Sequence, residues 1–226
     1  MKKYELTSEV IEYQGHTLHR IKALKDFGSV KAGELGGWIE NEENLSQANN
    51  AWIYGEAMVF DNAKVYCDAI VHGDASICDY AKVYGDAKIL GNAIVHGNAI
   101  VHGNAKIYDY AKVYDKADIY DFAEVYGNVR ICGNATIKGD ARIHDAVDYI
   151  VFKNFWSSGR YFTWTRSNNM WSVGCFYGTG EELINKAYYD SEISGKEYER
   201  VVRYVESILI DKKIKDTLSN KNGKTC

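Results

Sequence analysis

At 226 residues, with 46% hydrophobic residues and a net charge of −4, the chain is long enough for one extended body plus a small globular unit. The acidic balance argues against a nucleic-acid-binding track, and no run of about 18 apolar residues is present to span a bilayer. Five widely spaced cysteines (Cys67, Cys78, Cys132, Cys175 and Cys226) and a start, Met1-Lys2-Lys3-Tyr4-Glu5, without the apolar segment of a secretion signal fit a cytoplasmic protein with reduced thiols.

Residues 1–50 read as a cap for a repeat region that begins at Ala51. Val10-Ile11 and the alternating run 17–21 flank Gln14-Gly15 and predict a β-hairpin. The stretch 33–39 has the pattern of an imperfect first coil, and a solenoid needs an atypical end to cover its strand edges and open core.

From Ala51 onward, sixteen six-residue units succeed one another without interruption. Fifteen begin with alanine, Val129 being the exception, and each carries Val or Ile two residues later, from Ile53 to Ile143. Two apolar positions of the same parity predict a short strand whose Ala and Val/Ile face inward, followed by a corner. The fifth position is mostly glycine (Gly73, Gly85, Gly91, Gly97 and others) or aspartate (Asp79, Asp109, Asp121), residues that suit a tight turn. Gly is usually followed by Asn or Asp, and the Asp corners often by Tyr, Phe or Lys, which predicts two corner geometries.

After Asp145 the pattern changes to aromatic strands over 149–155, 160–165 and 171–177, with turns at Ser157-Ser158-Gly159 and Ser167-Asn168-Asn169, which predicts a three-stranded meander. Amphipathic helices are expected near 181–188 and 196–212, the second presenting Tyr198, Val201, Val202, Val205, Ile208 and Leu209 on one face. Residues 147–226 thus read as a small α+β domain, with Trp156, Trp164, Trp171 and Phe176 as core anchors and a frayed polar tail over 219–226.

The strings V-H-G-N-A-I and I-C-G-N-A-T resemble the hexapeptide repeat of left-handed parallel β-helix proteins. That resemblance implies three units per triangular coil and about five coils over residues 51–146. The expected fold is mainly β: a left-handed parallel β-helix with an N-terminal β cap and a small C-terminal α+β domain. The chain departs from the family unit by placing Tyr54, Tyr66, Tyr84, Tyr108, Tyr114, Tyr120 and Tyr126 after the aliphatic position.

Proteins of that family are often trimeric acyltransferases that bind acyl-coenzyme A between two helices and use a histidine base. Here His72, His96, His102 and His144 all occupy the fourth position, where other units hold tyrosine, so each reads as an outward side chain in a permissive slot. The unbroken units leave no room for the long loop by which such enzymes complete a site. His96 and His102 project from adjacent faces and cannot share one ion within a chain, given nitrogen–zinc distances of about 2.1 Å. Neither a phosphate-binding loop nor a nucleophile elbow is present. No catalytic residue, metal site or cofactor is expected.

The outward surface is more informative. Ile70, Ile94 and Ile100 occupy the second position, where other units carry charge, and Ile94, His96, Ile100 and His102 read as flanking one corner, with Tyr84, Leu90, Tyr114 and Tyr120 nearby. Such a set forms a candidate interaction patch. The expected function is that of a non-enzymatic binding or scaffold protein, a homo-oligomer (dimer or trimer) that engages a host protein or other macromolecule, with no membrane or nucleic-acid partner. The whole arrangement also resembles proteins encoded by phages and prophages, which implies sequestration or inhibition of a host component such as a defence factor. A trimeric acyl-coenzyme-A-dependent acyltransferase is the alternative.

Overall fold

The alanines and β-branched residues of the sixteen units are sealed from solvent, from Ala51 and Ile53 to Ala141 and Ile143; Val129, the one unit head that is not alanine, is 4% exposed. They form one continuous core in a computed structural model that describes residues 2–154 and 159–222, with side chains described as far as residue 209. Trp156, the Ser157-Ser158 turn and residues 223–226 of the expected tail lie outside the described residues.

Each unit contributes a two-residue strand, from Trp52–Ile53 to Arg142–Ile143, and successive strands go in turn to three parallel sheets. The first face stacks Met58–Val59, Ser76–Ile77, Ile94–Val95, Lys112–Val113 and Arg130–Ile131. The second stacks Lys64–Val65, Lys82–Val83, Ile100–Val101, Asp118–Ile119 and Thr136–Ile137. The third begins at Trp52–Ile53 and ends at Arg142–Ile143. The result is a β-solenoid of about six turns. The turn beyond the repeat count comes from the imperfect coil, because Trp38 and Ile39 pair with Met58 and Val59, and Leu45 bridges to Val65.

The two kinds of corner share one conformation, which corrects the expectation of two geometries. The backbone φ is between 55° and 60° at Asp61, Asp79, Asp109, Asp115 and Asp121, and between 62° and 81° at the corner glycines. Aspartate tolerates this left-handed region better than most residues. Its carboxylate also gains a partner in the next coil: Asp79 Oδ2 accepts from the Gly97 amide (2.8 Å), Asp109 from Gly127 (3.0 Å) and Asp115 from Gly133 (3.0 Å).

Outside the paired strand residues, most hydrogen bonds between coils run in one direction, an amide donating to a carbonyl of the next coil, as Ile94 does to Ala111 and Ile100 to Ala117 (both 2.9 Å), while Val65 donates back to Asn44 O (2.8 Å). The first coil is therefore left with more spare carbonyls than amides, and the last with more spare amides than carbonyls. At the start, β1 (Tyr4–Tyr13) and β2 (His16–Ala23) form the expected hairpin across Gln14-Gly15, both at positive φ, and β2 pairs with β3 (Leu35–Ile39) to extend the first face. Donors from this cap meet the spare carbonyls. Tyr4 Oη donates to Leu45 O (2.6 Å), and Lys3 Nζ donates to Ala51 O (2.8 Å) and Ala48 O (3.4 Å).

At the other end the chain supplies acceptors. Thr163 Oγ1 takes the Thr136 amide (3.0 Å), Ser167 Oγ the Arg142 amide (2.7 Å), and Asp148 Oδ2 the amides of His144 and Asp145 (3.0 and 2.9 Å). Thr163 and Ser167 belong to the C-terminal unit, an antiparallel sheet of four strands: β20 (Tyr149–Lys153), β21 (Tyr161–Thr165), β22 (Met170–Val173) and β23 (Phe176–Gly178). Sixteen solenoid strands intervene in this numbering, β4 to β19. The expected third strand is split in two because Gly174 adopts φ 56° and turns the chain so that Val173 pairs with Phe176.

Helices α1 (Gly180–Asp190) and α2 (Glu192–Asn222) cover that sheet. Trp164, Trp171 and Phe162 are buried against Leu183, Ile184, Val202 and Val205, as the amphipathic pattern predicts, although Ile208 is exposed. Thr179 and Glu182 start α1 with a reciprocal capping box. α2 runs past the expected end at residue 212, since no proline follows and Gly223 is the first glycine after Gly195. Among the described residues, no helix is long and apolar enough to cross a membrane.

Two measurements test this architecture. Ala99→Leu inserts volume at a fully buried position between coils and should cost about 1–3 kcal/mol in denaturant unfolding. Lys3 gives a pH signature. Burial, with a smaller contribution from Lys25, lowers its pKa from 10.5 to about 8. The folded state thus sheds a proton that the unfolded chain keeps up to about 10.5, so wild type should gain stability relative to Lys3→Met as pH rises from 8 toward 10. Melting temperatures of the two proteins across that range provide the check, and a constant difference would contradict the buried ammonium.

Candidate interaction surface

Fourth-position side chains stack in register along each side of the solenoid. On the second face Tyr66, Tyr84, His102 and Tyr120 form a continuous column with ring centres 4.7–4.8 Å apart and planes within 12° of parallel. Lys138 closes it, its ammonium 5.4 Å from the Tyr120 ring and 4.9 Å from that of Tyr177 in the C-terminal sheet. Gly139 allows this junction, because a Cβ there would overlap the Tyr177 hydroxyl. The other sides carry shorter stacks, Tyr54 with His72, Tyr108 with Tyr126 and His144, and His96 with Tyr114.

The histidines are held in place by these columns. His96 Nδ1 lies 3.4 Å from Asp79 Oδ2, and His102 Nε2 lies 3.3 Å from Asp118 Oδ1. Burial pushes the Asp118 carboxyl above its ordinary pKa, with His102 and Lys138 opposing the rise. His96 comes after a first-face strand and His102 after a second-face strand, so the pair does not converge within the chain.

The residues of the expected patch lie on both sides of one corner and on the face before it. Ile94, His96 and Tyr114 belong to the first face, Ile100, Tyr84, His102 and Tyr120 to the second, and Leu90 comes after Lys88–Ile89 of the third. Ile94 and Ile100 sit on either side of one corner, but each of the eight side chains is half-buried, covered by its stack or by its neighbours in the ladder. An 18-residue coil assigns adjacent units to different faces, and the sheets follow that assignment.

Ile100 has a more specific setting. It lines a groove of about 640 Å³ on the second face together with Lys64, Lys82, Asp118, Lys116, Asn98, Asn62 and Tyr80. Tyr80 is 60% exposed at the corner that leads into this face. With Tyr110 (60%) and Phe122 (67%) it is one of three corner aromatics in the sixth position. Their signal lay in the Asp-Tyr and Asp-Phe dipeptides, which mark a ring just past a turn where no neighbouring coil covers it. The groove combines an aliphatic and an aromatic contact with three lysines and one carboxylate.

The comparisons with known proteins agree with this architecture. Residues 129–145 match the YdcK beta solenoid repeat family. A stretch of 64 residues is 41% identical to the uncharacterized acetyltransferase YdcK of Escherichia coli (strain K12), covering 25% of this chain and 20% of that protein. The chain thus spans about a fifth of the length of the curated relative it matches, and the likeness supports a β-solenoid repeat.

The second-face column should be measurable as stability. His102→Ala removes two stacked neighbours and the imidazole that lies 3.3 Å from Asp118, and should cost about 1–3 kcal/mol. His96→Ala removes one stacked ring and should cost less. Equal midpoints for the two variants in urea would show that the column contributes little.

Proposed function

We propose that the protein is a binding module that holds a macromolecular partner along the second-face groove. The observation that carries this reading is the groove itself, where outward Ile100 and exposed Tyr80 lie beside Lys64, Lys82 and Lys116. An aliphatic and an aromatic contact within a polar rim is the composition of a protein-binding hot spot. The excess of lysine over carboxylate suits a partner segment that carries acidic side chains around an apolar one. The backbone of the surface is pre-organised by the hydrogen-bond ladder, so little ordering cost accompanies binding. The resemblance to phage-encoded proteins extends the reading to a partner from a bacterial host, sequestered rather than chemically altered, and the Ile94–Ile100 corner to a contact between copies of the chain.

A second reading, acyl transfer, rests on the likeness to YdcK and on the His102–Asp118 pair beside the groove. In that reading His102 is the base and Asp118 orients it.

The two readings separate by experiment. Under the binding reading, Tyr80→Ala with Ile100→Lys should leave the circular dichroism spectrum unchanged and lose at least about 100-fold in affinity for a partner recovered by wild type from host extract. Calorimetry with coenzyme A should then give no heat. Saturable coenzyme A binding that is lost in the double variant would support acyl transfer. An unchanged partner affinity in the double variant would overturn the groove assignment, and light scattering on Ile94→Lys/Ile100→Lys would report the copy-to-copy contact.

A further inference from the structure

The geometry points to a binding site for a divalent transition-metal ion of the zinc type where the N-terminal hairpin meets the solenoid, at two triads that share Asp61: Asp61, Cys78 and Asp79 as ligands, and His16, oriented by Glu40 and adjoining Asp61, as the fourth ligand that closes on the ion when it binds. Three separate segments supply these residues. His16 begins β2, Glu40 directly succeeds β3, and Asp61, Cys78 and Asp79 lie at the corners that leave the first face.

Two distances define the role of His16. Its Nδ1 is 3.1 Å from Glu40 Oε1, a hydrogen bond, whereas its Nε2 is 3.5 Å from Asp61 Oδ1. The second separation is long for a charge-assisted hydrogen bond, which falls at about 2.7–2.9 Å. It is the separation of two ligands on one tetrahedral ion: bonds of about 2.1 Å place neighbouring donors about 3.4 Å apart. A carboxylate on one imidazole nitrogen with the other nitrogen turned toward donors is the arrangement that fixes the tautomer of a metal-bound histidine.

The remaining donors are also held. Asp61 Oδ2 accepts the Asp79 amide (3.2 Å) and Asp79 Oδ2 accepts the Gly97 amide (2.8 Å), while Glu40 Oε2 takes the Asp61 amide (2.7 Å). Asp61 and Asp79 are each anchored through one oxygen, which leaves the other for an ion, while both oxygens of Glu40 are engaged, one by the Asp61 amide and one by His16. Ligand atoms of Asp61, Cys78 and Asp79 lie within 4.8 Å of one another, as do those of His16, Glu40 and Asp61. The His16 ring rests 5.0 Å from that of Phe60, and Phe60 packs with Leu18, Trp38 and Cys78 in a small apolar cluster that covers one side of the site. A nitrogen, a thiolate and carboxylate oxygens form a borderline-soft donor set, which selects zinc-like ions over calcium or magnesium. In the metal-free protein burial, followed by the charges of Asp79 and Asp61, pushes the Cys78 thiol up to about 12, so an ion must displace its proton on binding.

The test uses the full-length, metal-free chain and Co²⁺ or Zn²⁺ added alone. One equivalent of Co²⁺ should bind with a thiolate-to-cobalt charge-transfer absorption, and Zn²⁺ should abolish that spectrum and raise the melting temperature. Cys78→Ser should lose the charge-transfer band. His16→Ala should weaken Zn²⁺ binding by about 100-fold or more, and Glu40→Gln by about 10–100-fold. The proposal is overturned if wild type develops no cobalt spectrum, or if the band persists in Cys78→Ser, which would assign it to another cysteine. Circular dichroism monitors folding; were His16→Ala to unfold, the band in Cys78→Ser and the affinity of Glu40→Gln decide.

Discussion

The interaction on which this structure depends is the hydrogen-bond ladder between coils, which runs mostly in one direction. Most of the bonds outside the strand pairs donate from an amide of one coil to a carbonyl of the next, so the stack has more spare carbonyls at its start and more spare amides at its end. An unpaired buried backbone group costs about as much as a lost hydrogen bond, so the two ends need opposite chemistries. The N-terminal segment brings donors, the Tyr4 hydroxyl and the Lys3 ammonium, and the C-terminal unit brings acceptors, the hydroxyls of Thr163 and Ser167 and the Asp148 carboxylate. The flanking segments are thereby complements of a polar stack as well as covers for an apolar core.

The interior of that stack was legible in the residues alone because a strict period leaves one solution. Alanine and a β-branched residue two positions apart face inward, and side chains one coil apart stack, as the column from Tyr66 to Lys138 does. The period carried no information on features made by residues from different segments. Lys3 reads in the sequence as an ordinary charged terminus, yet it is buried beneath the first coil. His16 and Glu40 belong to no repeat, and only the docking of the hairpin brings them to Asp61.

The corners show where composition misleads. Gly and Asp alternate at the fifth position with different followers, which suggested distinct turns, but the backbone is common to both. The difference lies in space and partners. At Gly97 a Cβ would stand 2.8 Å from the Asp115 amide nitrogen, so glycine is required there, while Asp109 and Asp115 fit a Cβ and use the carboxylate to bind the amide one coil on. The residue just past the turn is set by exposure rather than by turn type. A ring such as Phe122 therefore stands in solvent without altering the backbone beneath it.

The same packing that rigidifies the outward side chains shapes what the molecule can do. A histidine between two rings, paired with a carboxylate, has lost the rotational freedom that a mobile proton carrier uses, while its column gains stability and a fixed surface relief. His102 is held in this way by Tyr84, Tyr120 and Asp118. Recognition through shape benefits from such fixity, because the cost of ordering the surface is met when the chain folds. The groove on the second face lies between one immobilised column and the preceding corner, and its residues come from strands whose spacing the ladder sets. In the proposed binding role, Tyr80, Ile100 and the lysines are read together only while the ladder keeps their coils in register, so a change that shifts one coil against the next is expected to alter stability and binding together.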